Sequence, residues 1–218
     1  MGQPLQNRVL PTGEIVAVPE RGTFMGNRGG PIHDPVTRTL GRRRWASRRW
    51  ICCLTCFKDR RRNVMGTGYT ELFFLDEVTA LAAGHRPCFE CRRADARSFA
   101  AAFETAGQKL GEYPGRPSAD DMDRILHRDR LDGASQKTFL ASLGEIPAGT
   151  MIAHSGHLIA LHGCKPVLWT LSGYQPCPID LSLEDEVQVL TPRSIVDTLR
   201  QGYLPIWHKS ATLIHSSS

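Results

Sequence analysis

An α+β fold is predicted for this 218-residue chain, and three features of the sequence lead to that prediction. Amphipathic helical patterns recur before residue 133. After it, short β runs alternate with glycine-containing turns, as in a meander or small barrel. Two cysteine clusters in the first part predict a metal that stabilises it. We therefore expect a basic, cysteine-bearing, zinc-binding α+β domain over 1–133. A mostly β domain with a short C-terminal helix would follow over 134–218, with the boundary near 133–147.

The first part is predicted to contain several strands and a long irregular segment. Residues 7–18 form two extended runs around a Pro-Thr-Gly turn. Residues 20–44 are rich in Gly, Pro and Arg and are predicted to be irregular. The apolar run in "RRWICCLTCF" predicts a short strand, and Leu72–Leu75 predicts a buried one.

Four helices are predicted from their caps and apolar stripes. The first follows Asp76 and stops at Gly84, and the second covers about 91–106, with Gly107 after it. Ser118 opens the third helix. A short fourth helix begins with Thr191 as cap and Pro192 in its first turn, and residue 202 ends it.

Composition places the chain among ordinary globular proteins. Apolar residues make up 41% and charged residues 22% of the sequence. No apolar run approaches the roughly 18 to 20 residues that a membrane span needs, and the N-terminal sequence does not resemble a signal peptide. The seven cysteines are therefore expected to be reduced thiols in the cytoplasm, with no membrane partner.

The net charge of +5 conceals a local basic segment. Ten basic residues and one acid, Asp59, lie between Arg38 and Arg62, so this segment carries +9 and the remainder of the chain −4. Concentrated positive charge predicts a polyanionic partner.

Five of the cysteines fall into two clusters that predict a metal site. They are Cys52, Cys53 and Cys56 in the first cluster and Cys88 and Cys91 in the second. Two cysteine pairs can complete a tetrahedral zinc site with Zn–S bonds of about 2.3 Å, and soft thiolates favour Zn²⁺ over Mg²⁺ or Ca²⁺. The first pair is either Cys53 with Cys56 or Cys52 with Cys56. The isolated Cys164 and Cys177 are predicted to be core thiols.

The segment "ELFFLDEVTALAAGHRPCFECRRAD" resembles the second half of the zinc-binding domain of the Ada family of DNA alkylation-repair proteins. That family has an aromatic pair, a short alanine-rich helix and then Gly-aromatic-Arg-Pro-Cys-x-x-Cys-Arg. Phe73–Phe74, residues 80–83, Gly84 and residues 86–92 match this pattern. The resemblance covers about residues 48–95.

The resemblance implies a ligand pairing and a reaction. Cys52 and Cys56 match the family's first cysteine pair, with Cys53 as an added thiol. Cys52 would then be the zinc-bound thiolate that accepts a methyl group from a DNA phosphotriester. Phe57–Asp59 replace the Pro-x-Arg that follows this pair in the family, and the spacing between the pairs is longer here.

The basic segment also contains tryptophans, and this combination predicts nucleic-acid binding, with DNA expected rather than RNA. Arginine neutralises phosphate, and tryptophan can stack on bases. The candidate contact residues are Arg42, Arg43, Arg44, Trp45, Arg48, Arg49, Trp50, Lys58, Arg60, Arg61 and Arg62. They bracket the first cysteine cluster, so the basic surface and the metal are expected to be neighbours.

A glycine-rich stretch over 21–34 provides a further candidate site at Asn27, Arg28 and His33. Such a loop could bind an anion, and His33 could supply acid–base chemistry. Three hypotheses follow: a zinc-stabilised nucleic-acid-binding protein, a methyl acceptor at Cys52, and a metal-dependent nuclease or hydrolase that uses this loop.

Overall fold

The predicted α+β class is confirmed by a computed structural model that describes residues 3–111, 115–163 and 165–214. The first part contains β1 (Gln6–Val9), β2 (Ile15–Ala17), β3 (Phe24–Arg28), β4 (Trp50–Leu54), β5 (Leu72–Phe74), α1 (Glu77–Ala82), β6 (Arg86–Pro87), α2 (Arg93–Leu110) and α3 (Ala119–Arg130). The second contains β7 (Leu131–Asp132), β8 (Ser135–Gln136), β9 (Phe139–Ser142), β10 (Met151–His154), β11 (His157–His162), β12 (Lys165–Thr170), β13 (Gly173–Pro176), β14 (Glu186–Val189), α4 (Arg193–Arg200) and α5 (Lys209–Leu213).

The first sheet has the strand order β2-β1-β5-β3-β4-β6. Strands β1 and β5 are parallel, as are β4 and β6, and the other neighbours are antiparallel. The parallel pairing of β6 with β4 carries the chain into the turn that holds Cys88 and Cys91. This sheet therefore brings the two cysteine clusters together.

Strand β3 lies within the segment predicted to be irregular, so that prediction is wrong for residues 24–28. All five residues of β3 are buried between β4 and β5. A Cβ at Gly26 would overlap the Ile51 carbonyl oxygen and lie 2.8 Å from the Phe74 ring. Glycine is needed here because the neighbouring groups leave no room for a side chain.

The helices of the first part begin where the sequence predicts. Asp76 caps α1, because its carboxylate accepts from the backbone N–H of Thr79. Ser118 caps α3 in a capping box with Asp121. Helix α2 is longer than predicted: it continues through Gly107 and ends at Gly111, whose φ of +68° suits glycine.

The second sheet is antiparallel throughout, with the order β13-β12-β11-β10-β14-β9. Helix α4 follows it and begins one residue later than predicted, with Pro192 at the cap position. Thr191 does not cap the helix, because its hydroxyl oxygen accepts from the backbone N–H of Met151 instead. The predicted meander is present.

Helix α1 connects the cores of the two sheets. Its Val78 and Ala82 pack with Met151 and Trp169 of the second sheet. Ala80 packs with the apolar face of the first sheet. The two sheets fall on either side of the predicted boundary but share this helix, so two separate domains stay a prediction.

Candidate functional site

Three cysteines from the two clusters converge on one face of β4. The sulfur atoms of Cys53, Cys88 and Cys91 all lie within 4.8 Å of one another. Cys53 projects from β4, while the other two lie in the turn after β6. The backbone N–H of Cys88 donates to the carbonyl of Cys52 at 2.9 Å, which fixes this turn against the strand. The structure therefore brings together three thiols that could hold a metal ion, from clusters 35 positions apart in the chain.

Backbone N–H groups point at two of these sulfurs. The N–H of Glu90 donates to the Cys88 sulfur and that of Leu54 to the Cys91 sulfur, each at 3.4 Å. Hydrogen bonds from the Cys53 and Cys91 thiols lower the pKa of Cys88, and its partial burial opposes this. Cys53 donates to both Cys88 and Cys91, and these two hydrogen bonds raise the pKa of Cys53, with burial adding to the effect. The backbone N–H groups of Glu90 and Leu54 thus favour the thiolate forms of Cys88 and Cys91.

The surroundings of the cluster suit a buried structural ion. Met25 packs directly with Cys53 and Cys88, and Phe73 and Tyr69 cover this group. Cys53 and Cys88 are only 6% and 7% exposed. Three cysteine sulfurs in an apolar setting could hold a metal ion, and sulfur ligands suit soft cations better than the oxygen-preferring Mg²⁺ and Ca²⁺.

Cys56 lies outside this three-sulfur group. It is exposed, and its sulfur is not within 4.8 Å of all three of the others. It follows Cys53 by three residues, so their Cα atoms can be at most about 11 Å apart along an extended chain. The sequence left two alternatives for the first ligand pair, Cys53 with Cys56 or Cys52 with Cys56. Only the first alternative contains a member of the three-sulfur group, Cys53.

Cys52, predicted to be a ligand, lies in the core instead. Successive side chains of a strand point to opposite faces, so Cys52 faces away from Cys53 and packs with Leu72 and Phe74. Burial raises the pKa of its thiol, and Glu77 adds to the effect, while Arg92, whose guanidinium lies 3.5 Å from the sulfur, opposes it. A fully buried, protonated thiol cannot meet a phosphotriester. These contacts correct the assignment of Cys52 as zinc ligand and methyl acceptor.

Most of the predicted nucleic-acid-binding residues are exposed. The exposed ones are Arg42, Arg43, Arg44, Arg48, Arg49, Lys58, Arg60 and Arg61, while Trp45 and Arg62 are half-buried. Arg49 pairs with Asp120 at 3.1 Å, and Arg60 pairs with Glu90 beside the cysteine cluster. Arg62 donates to the Thr55 carbonyl at 2.6 Å. Several cations of the set are thus held in place near β4, and exposed ion pairs of this kind contribute little to stability.

Trp50 is not available for base stacking, which corrects its predicted role. Only 2% of it is exposed. The guanidiniums of Arg28 and Arg130 lie 4.1 and 4.0 Å from its ring centroid. Trp45 contacts Trp50 at 6.2 Å between centroids and remains half-exposed. Trp45 is therefore the tryptophan of the pair that a base could reach.

The glycine-rich stretch does not form the loop site predicted for it. Asn27 and Arg28 belong to β3, and the Asn27 side chain accepts from the N–H of Gly29. The ring nitrogens of His33 contact the Thr70 hydroxyl at 2.5 Å and the Gly66 carbonyl at 2.8 Å. His33 is 8% exposed and stabilises the 63–70 segment, so it is not free for acid–base chemistry.

Of the two isolated cysteines predicted to be core thiols, the structure describes Cys177. Cys177 is half-buried beside the core of the second sheet, and Cys164 lies outside the described residues.

Arg130 was not predicted as a functional residue. It ends α3, where a basic residue ordinarily complements the helix dipole, so the sequence contains no signal that its side chain turns into the protein.

The comparisons with known proteins give no relative: no family model, no curated protein and no solved structure matches this chain. Among the described residues, no helix combines the length and the apolar character needed to cross a membrane.

Proposed function

We propose that this protein binds zinc through Cys53, Cys88 and Cys91 with Cys56 as the fourth ligand, and that it binds nucleic acid. The convergence of the three sulfurs supports the metal. Of the two other cysteines in the first cluster, Cys52 is buried in the core, whereas Cys56 is exposed. The sequence Cys53-x-x-Cys56 also has the same spacing as Cys88-x-x-Cys91. A closed four-thiolate site has no open position, so the metal is structural rather than catalytic.

The nucleic-acid function is supported by the exposed arginines around β4. The segment 38–62 carries a net +9, and the structure leaves most of its guanidiniums accessible. The metal would fix β4 and the turn after β6, which hold this basic segment against the sheet. DNA is the proposed partner and the reducing cytoplasm the proposed compartment. A role in DNA repair rests on the resemblance to the Ada family alone, and nothing in the described residues adds to it.

Metal content tests the zinc site. We expect one zinc per chain, measured by plasma mass spectrometry on protein expressed with zinc. Cys53→Ser, Cys88→Ser and Cys91→Ser each remove a thiolate and should lower zinc affinity at least tenfold, with a smaller loss for the exposed Cys56→Ser. Cys177→Ser is the matched control and should retain the metal. Zinc-free wild-type protein, or equal losses in the control, would contradict the site.

A salt titration tests nucleic-acid binding. Each phosphate contact contributes about 0.7 to 0.9 to the slope of log K against log salt. The triple variant Arg42→Ala/Arg43→Ala/Arg48→Ala removes three exposed guanidiniums, so we expect weaker binding of an oligonucleotide and a slope shallower by about 2 to 3. A control with three exposed cations elsewhere, Arg93→Ala/Arg97→Ala/Lys165→Ala, should keep the wild-type slope. Equal slopes in both variants would reject this surface.

A further inference from the structure

A second site lies on the opposite face of β4 from the cysteines. A cavity of about 420 Å³ opens between the β1–β2 turn, the start of β4 and the β7–β8 hairpin. Its lining includes Arg28, Arg44 and Arg130 together with Trp45 and Trp50; we call it the arginine cavity. The volume falls in the range of small-ligand sites, which is roughly 300 to 1,000 Å³.

The arginine cavity contains buried positive charge that the described residues neutralise only in part: burial lowers the pKa of Arg130, and the carboxylate of Asp123 opposes this. Arg28 and Arg130 are 3% and 2% exposed, and across the ranges the structure describes neither forms an ion pair. Burial lowers the pKa of Arg28 to about 9, and the nearby Arg44 adds to the effect, so the guanidinium is still charged at neutral pH. Glu14 is the acidic residue of the lining and is exposed. Unpaired buried cations are costly, and a bound anion would offset that cost.

The donors of these arginines are only partly used. Arg28 donates to the Gly13 and Arg44 carbonyls at 2.8 and 3.3 Å and to the His85 ring at 3.4 Å. Arg130 donates to the Gly84 and Arg48 carbonyls at 2.7 and 2.6 Å and contacts the His127 ring at 3.0 Å. The Nε of Arg130 is buried and has no hydrogen-bond partner. Each guanidinium has five N–H donors, so both retain donors beyond those bound to carbonyls. An anion with several oxygens matches such a set.

An aromatic surface completes the cavity. The Trp50 ring contacts both buried guanidiniums, and Trp45 lies beside it. Trp45 also contacts the His127 ring edge-on, with 5.9 Å between the ring centroids, and it stays partly exposed. A planar base could stack on this tryptophan while an attached phosphate reaches the arginines.

We propose that the arginine cavity binds a 5′-phosphorylated nucleotide, with the phosphate on Arg28, Arg44 and Arg130 and the base on Trp45. This nucleotide is either a free molecule or the 5′-terminal nucleotide of a strand. Binding of a strand end would deepen the proposed nucleic-acid function and rests on it, whereas binding of a free nucleotide is independent of that function.

Calorimetric titration with adenosine 5′-monophosphate, adenosine and inorganic phosphate tests the cavity. We expect the monophosphate to bind at least tenfold more tightly than adenosine, because only the phosphate compensates the guanidiniums. Arg44→Gln should weaken the monophosphate about tenfold, and Trp45→Leu should remove its advantage over inorganic phosphate. Arg97→Gln changes an exposed arginine of α2 that does not line the cavity, and it should leave the affinity for the monophosphate unchanged. No preference for the monophosphate, or equal losses in the Arg97 and Arg44 variants, would overturn the proposal.

Oligonucleotides with and without a 5′-phosphate separate the two sources. A preference for the phosphorylated strand that disappears in Arg44→Gln but not in Arg97→Gln indicates that the cavity binds a strand end. Binding of the monophosphate without such a preference indicates a free nucleotide. If the monophosphate binds and no oligonucleotide does, the proposed nucleic-acid function fails while the cavity stands. If oligonucleotides bind equally well with and without a 5′-phosphate and the monophosphate does not bind, the cavity proposal fails and the nucleic-acid function stands.

Discussion

Cys52 and Cys53 are adjacent in β4, but their side chains lie in different chemical environments. Cys53 faces the two cysteines of the turn after β6, where hydrogen bonds stabilise a thiolate. Cys52 faces the core, and burial keeps its thiol protonated. The difference of a single position in the strand decides which sulfur can bind a metal, because the side-chain period of a strand is two.

Glu77 and Arg92 form a buried ion pair behind Cys52, and the pair is sensitive to the loss of one charge. Arg92 donates to Glu77 at 2.7 Å, and both side chains are almost completely buried. Glu77 also accepts from the Tyr203 hydroxyl at 2.6 Å and from the N–H of Ile206 at 2.8 Å. Removing the carboxylate charge leaves the guanidinium buried with only the half-exposed Asp95 at 2.9 Å.

We therefore expect Glu77→Gln to lower the free energy of unfolding by about 3 kcal/mol, since breaking a buried pair costs about 3 to 5 kcal/mol. Urea denaturation followed by circular dichroism measures the loss. The double variant Glu77→Gln/Arg92→Met should recover part of it, because it removes the unpaired cation as well. A loss below about 1 kcal/mol, or a double variant no more stable than the single one, would show that this pair does not stabilise the fold as argued.

Among the helices and strands, the sequence predicted the features that depend on residues close together in the chain. Asp76 and Ser118 begin their helices as predicted, because a cap depends on a side chain and the few backbone groups after it. The cysteine clusters were predicted to meet, and three of the five sulfurs do. Which cysteines meet depends on the register of β4 against β6, which the spacing of the cysteines does not contain.

Elements that depend on tertiary packing were missed. Gly26 and its neighbours have the composition of a loop, yet they form the buried strand β3 because β4 and β5 enclose them. Helix α2 continues through Gly107, which costs about 1 kcal/mol relative to alanine, because the helix packs along α4. Arg130 turns inward onto Trp50, an arrangement that requires both α3 and β4 to be in place.

At the scale of the whole molecule, the start of α1 joins the two sheets. Asp76 accepts from the Tyr174 hydroxyl of β13 at 2.9 Å and from the N–H of His208 at 3.0 Å. The Trp169 indole of β12 donates to the Thr79 hydroxyl at 3.0 Å. All these groups except His208 are buried, so separating the sheets would leave several polar groups without partners.

The shared helix predicts that both sheets unfold in one transition. We expect hydrogen exchange followed by mass spectrometry across a urea series to give the same midpoint for peptides of β3–β4 and of β10–β12. Asp76→Ala removes contacts to both halves and should lower the two midpoints together, whereas Leu140→Ala, at an exposed position of β9, should leave both unchanged. Chelating the metal should also lower both midpoints, because binding energy at β4 stabilises everything that unfolds with it. Protection that persists in β10–β12 after β3–β4 has lost it would instead indicate two independent domains, and α1 would then be a linker between them.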